Sequence, residues 1–202
     1  MERDIQEVLD YWFGPFDDEG LCSDSRWAFW FFEGEKYDEE IRERFSPLVE
    51  RALAEGLQWS QYGVEGALAE IIVLDQFTRH LYRKTAKAFA GDELALLLAK
   101  SAINKAEDLS LHFAQRIFMY LPLEHSESYE DQQFSVGMYK RLLIQVPEEA
   151  KEAYTKCYEF AELHSQIIAQ FGRYPYRNKV LGRVSTENEL EYLKEDNHAF
   201  GQ

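Results

Sequence analysis

The chain has 202 residues, 46% apolar and 15% aromatic, which is enough to bury a sizeable core and excludes a disordered polypeptide. Acids outnumber Lys and Arg 37 to 22, and the net charge of -15 argues against nucleic acid or anionic membrane as partners. Two distant cysteines, Cys22 and Cys157, early acids in place of an apolar leader, and the lack of any bilayer-length apolar run point to a cytoplasmic protein with two unpaired thiols.

Taken in chain order, Ile5, Val8, Leu9 and Trp12 keep helical spacing until Gly14-Pro15. Ser23 to Phe32 gathers Trp27, Phe29, Trp30, Phe31 and Phe32, as a buried helix or an aromatic plug. Lys36 to Ala54 carries the stripe Ile41, Phe45, Leu48, Val49 and Leu53, with Pro47 as a kink or break and Gly56 as a stop. Gly66 to Tyr82 is apolar around most of its circumference, which predicts an interior helix. Helices follow over Phe89 to Ala106, His112 to Leu121 with Pro122 as the end, and Tyr129 to Ile144. Pro147 opens another that runs to Gly172, and Ser185 or Thr186 begins a short one over Glu187 to Lys194, with Thr186 and Glu189 at capping-box spacing.

No stretch alternates as a strand would. The expectation is an all-α fold of about eight to ten helices packed as antiparallel pairs in a superhelical or bundle arrangement. Residues 1–195 would form one domain and 196–202 a frayed tail.

Charge is unevenly placed. Leu163 to Thr186 contains no Asp or Glu, where about four would be expected at the chain-wide frequency, yet holds His164, Arg173, Arg177, Lys179 and Arg183. Gln76 to Gly91 is likewise acid-free and holds Arg79, Arg83, Lys84 and Lys87. Arginines on an otherwise apolar helix need a carboxylate, a phosphate or a ligand for their donors. Asp75 to Arg79 at i,i+4 could be no more than a helix ion pair, and the arginines of the later loop could staple it to acidic helices. A third stretch, Glu124-His125-Ser126-Glu127 followed by Gln132, offers His125 and Glu127 as an acid–base pair, or a cap for the next helix. Its spacing matches no metal motif, and no cofactor is implied.

The ordered motifs DYWFG, LDQFTRHLYR, AFAGD, FMYLPLEHSE with Gln132, and FGRYPYRNKVLGR-ST resemble those of the bacterial family known as domain of unknown function 924, from about Val8 to Leu193. The resemblance implies a tetratricopeptide-like helical fold and brings no reaction. Thr78, His80 and Tyr176 depart from the family's usual proline, asparagine and histidine. Motif positions fall on Asp75, Gln76, Arg79, Arg83, His125, Ser126, Glu127, Gln132, His164, Arg173, Arg177, Asn178 and Arg183.

Together these observations predict one pocket in which Asp75, Gln76, Arg79, Arg83, Gln132, His164, Arg173, Arg177, Asn178 and Arg183 bind an anionic small molecule. His125 and Glu127 would do acid–base work in the event of turnover. A groove for a peptide carboxylate, and a polar network that only fixes helix packing, are the alternatives.

Overall fold

The computed structural model describes residues 2–195, and the expected tail at 196–202 lies outside them. Among the described residues the fold is all-α, with one isolated antiparallel bridge between Phe16 and Cys22. The helices are α1 (Glu2–Phe13), α2 (Asp24–Phe31), α3 (Asp38–Glu55), α4 (Val64–Ile71) and α5 (Thr78–Leu81). They continue with α6 (Asp92–Asn104), α7 (Phe113–His125), α8 (Tyr129–Gln145), α9 (Lys151–Phe171) and α10 (Glu187–Glu195). No helix is long and apolar enough to cross a membrane.

The centre of the molecule is a continuous rod made of α4, a π-helical turn over Ile72–Phe77, and α5. Its all-round apolar sequence explains its place, since Leu68, Ile71, Ile72, Val73, Leu74 and Phe77 are all buried. Helices α1, α3, α6 and α7 pack around it, and α7, α8 and α9 then pack each on the next. Trp12 of α1 meets Phe29, Phe77 and Phe118 edge-on at 4.9, 5.6 and 5.4 Å, tying α2, the rod and α7 into one aromatic core. Of the two expectations for the aromatic stretch after Ser23, the helix is the one observed, with Phe29 as its buried residue.

A π turn inserts an extra residue into the helical path and leaves its carbonyls poorly served by the ladder. Here side chains serve two of them: Thr78 Oγ1 donates to Leu74 O at 2.7 Å and Arg79 Nη1 to Asp75 O at 2.5 Å. Gly91 rests against the same turn, where a Cβ would come within 2.3 Å of Leu74 O. Only glycine permits that approach, and it sets Asp92, the first residue of α6, beside Arg79. Gly91→Ala should therefore lower stability by about 2 kcal/mol, the usual cost of overpacking against unyielding backbone. A urea unfolding midpoint unchanged by Gly91→Ala would contradict this contact.

Neither proline ends its helix. Pro47 lies inside α3 and Pro122 inside α7, which continues to His125. Residues Ala114 to Glu124 of α7 are all buried, so tertiary packing outweighs the roughly 3 kcal/mol that an interior proline costs. His125 consequently sits on the last turn of a helix rather than in a loop.

Candidate functional site

Asp75, on the π turn, is fully buried and surrounded by donors. Its Oδ1 lies 2.6 Å from His125 Nδ1 and 3.2 Å from Arg79 Nη1, and its Oδ2 accepts from Gln76 Nε2 at 2.5 Å. Arg79 also holds Asp92 bidentately, at 2.9 and 3.1 Å. Arg177 completes the group from the far end of the chain: Nη1 donates to His125 O at 3.1 Å and reaches Asp92 Oδ2 at 3.4 Å. Its guanidinium sits 4.6 Å from the Phe89 ring centre and 4.5 Å from that of Tyr174. The residue is 4% exposed, and its Nη2 has no hydrogen-bond partner. A rim of partly exposed residues, Gln76, Phe89, Asp92, His125 and Tyr176, surrounds this buried floor.

The electrostatics assign protonation states. Burial works to raise the Asp75 carboxyl, but Arg79 and His125 beside it prevail and hold it well below the usual carboxylate range. Burial, and next the charge of Arg79, push His125 down, so its imidazole is neutral near pH 7. With Asp75 ionised, the ring hydrogen belongs on Nδ1, which leaves the lone pair on Nε2. Glu124, one residue earlier and also buried, is pushed up to about 8 by burial and by the negative charge of Asp75. It therefore enters the core as a neutral acid, 3.2 Å from His164 Nδ1. That same nitrogen lies 2.8 Å from Phe160 O.

A second set of contacts fixes the corner that carries His125. Gln132, buried in the first turns of α8, directs its amide nitrogen at Glu124 O (2.7 Å), Ser126 O (2.6 Å) and the Tyr174 hydroxyl (2.8 Å). Tyr174 OH in turn donates to Glu124 O at 2.5 Å. Glu127 turns the other way: it accepts from Tyr174 N at 2.8 Å and from Arg183 at 2.6 and 2.9 Å, latching the acid-free loop onto the end of α7. Asn178 accepts from Arg183 Nε at 2.9 Å and donates to Ser185 Oγ at 3.0 Å.

Of the residues singled out in the sequence, Asp75, Gln76, Arg79, His125 and Arg177 come together, and Gln132, Asn178, Glu127 and Arg183 support them. Arg83 is elsewhere, held at 2.9 Å by both oxygens of Asp38, which also meets His80 Nδ1 at 2.7 Å. Those partners outweigh burial and bring the Asp38 carboxyl down to about 2. Arg173 forks onto Glu189 at 2.6 and 2.8 Å and so fastens α10. His125 and Glu127 do not form a pair, because the helix ends between them; Asp75, fifty residues earlier, is the carboxylate that holds the imidazole. All five arginines named for ligand binding meet protein carboxylates, and the charge of Arg79 and Arg177 is balanced by Asp75 and Asp92. Asp92, Phe89, Tyr174 and Tyr176 are members that sequence reasoning missed as site residues, although Phe89 and Asp92 belong to the AFAGD motif.

The profile of a family of bacterial proteins of unknown function (DUF924) matches residues 8–197. The chain is similar to a solved structure of a protein of unknown function, ATU0120 from Agrobacterium tumefaciens. The two share 28% identity and a TM-score of 0.78, over 96% of this chain and 99% of that one. Comparison with curated proteins gives no match. A match spanning nearly the whole sequence, together with the agreement in fold, places the chain in the DUF924 family of bacterial proteins.

Proposed function

We propose that the His125 cluster binds a small anionic molecule and supplies acid–base chemistry to it. The observation that carries this reading is the 2.6 Å contact between the ionised Asp75 and His125 Nδ1. A buried carboxylate on one ring nitrogen fixes the tautomer and orientation of an imidazole and makes the other nitrogen a base. The His125 side chain is 14% exposed, so that base lies at the rim. Arg177 supplies the complementary donor: a ligand oxygen passing the partly exposed rings of Phe89 and Tyr176 would give its Nη2 a partner. Because the floor is charge-balanced, recognition rests on this short-range bond rather than on a long-range positive field. Placement of Asp75 on a π turn, a feature common at functional sites, is consistent with this reading.

A thermal-shift screen against anionic metabolites tests it. A ligand present at a hundred times its Kd should add about 2.7 kcal/mol to stability, or roughly 5–10 °C in Tm for a chain of this size. The shift should vanish in Arg177→Gln and shrink in His125→Gln. If no anion raises the native Tm while both variants merely unfold earlier, the cluster is a packing network and the proposal fails.

A further inference from the structure

We infer that the cleft between α1, α2 and α3 is a second ligand site, taking a small amphoteric molecule with one carboxylate and one ammonium group, such as a free amino acid or short peptide. The cleft is open to solvent and offers about 890 Å³, within the range of small-molecule sites. Its walls carry Glu7 and Tyr11 from α1, Arg26 from α2, and Glu40 and Arg44 from α3.

The charges here are loosely held. Arg44 spans Glu7 and Glu40 at 3.3 Å each, longer than a well-made charge-assisted bond, and its side chain is 39% exposed. Exposed pairs of this kind contribute little, so the guanidinium can be redirected at small cost. Beneath it lies Tyr11, whose ring centre is 4.5 Å from the Arg44 guanidinium carbon. The Tyr11 hydroxyl is enclosed and has no hydrogen-bond partner, an arrangement that native structures rarely tolerate without reason. Burial, and after it the charge of Glu40, push the phenol up to about 12, so it stays protonated and able to donate. Arg26 is already committed, donating to Tyr11 O at 2.8 Å.

Charge balance selects the ligand class. The cleft is lined by three acids, Glu7, Asp10 and Glu40, and three arginines, Arg3, Arg26 and Arg44, so its walls are neutral. A carboxylate bound by Arg44 and the Tyr11 hydroxyl would leave the cleft with an excess negative charge. A cation alone would leave an excess positive charge in the same way. A ligand carrying both charges replaces each interaction it breaks.

Titration of the native protein with the dipeptide alanyl-alanine, its N-acetyl form and its C-terminal amide, followed by calorimetry, tests the inference. The unblocked dipeptide should bind at least about tenfold tighter than either blocked form, since each lacks one charged hydrogen bond. Tyr11→Phe should fold with unchanged or higher Tm, its hydroxyl having no partner to lose, and should bind the dipeptide about tenfold more weakly. Equal affinity for the blocked forms, Tyr11→Phe binding as the native protein does, or no saturation at millimolar dipeptide would each overturn the proposal. Arg177→Gln should bind the dipeptide normally, which separates this cleft from the His125 site.

Discussion

Asp75→Asn should destabilise the protein by about 3 kcal/mol, because removing one charge of a buried ion pair strands the other. For a chain of this size that corresponds to a fall in Tm of roughly 6–12 °C. The substitution preserves shape, so the loss reports on charge: Arg79 would keep Asp92 but lose its partner on the π turn, and His125 would lose the carboxylate that raises its basicity. The pH dependence has a definite sign. A carboxyl depressed in the folded state contributes stability above its unfolded value, near pH 4, and loses it as the pH falls further. Unfolding of the Asn variant should therefore be less steep on the acid side, and the ring signals of His125 should titrate at still lower pH. A stability change below 1 kcal/mol with an unaltered acid limb would show that Asp75 does not hold the charge.

Glu124→Gln should act at the opposite end of the pH range. The folded protein keeps a proton on Glu124 up to about pH 8, whereas the unfolded chain releases it near pH 4.3. A raised folded value means the contribution is complete below the unfolded pKa and is lost as pH rises towards 8, at about 1.4 kcal/mol per pH unit. Glutamine cannot ionise, so the variant should lack this decline. It should be close to the native protein at pH 5 and more stable by a few kcal/mol at pH 9. Chemical denaturation at the two values measures it, and parallel curves for both proteins would mean that Glu124 is already ionised at neutral pH.

Periodicity made the helices legible: Ile5 through Trp12 and the apolar circumference of residues 66–82 are buried as their spacing requires. Pro122 misled because an interior proline removes one bond, and the wholly buried α7 recovers that loss in contacts a local pattern does not display. The acid-free windows were genuine features, but their meaning is non-local. Arg83 finds Asp38 forty-five residues away, Arg177 finds Asp92 at eighty-five, and Arg183 finds Glu127 at fifty-six. A deficit of acid in one segment is answered by acid in another, and only the fold shows which. The pairing of Asp75 with His125 was hidden for the same reason, with Glu127 the closer but wrong candidate.

The π turn also sets a phase. An α-helix advances about 100° per residue, so one residue more or fewer rotates everything downstream by more than a quarter of a circle. Residues before the turn present the apolar surface of the rod; those after it present Arg79 to Asp92 and His80 and Arg83 to Asp38. Deleting a single residue between 72 and 77 would restore a regular helix and turn all three side chains away from their carboxylates. In this chain a one-residue length change at that point is therefore a change of wiring, and the acids it serves would be left without their partners.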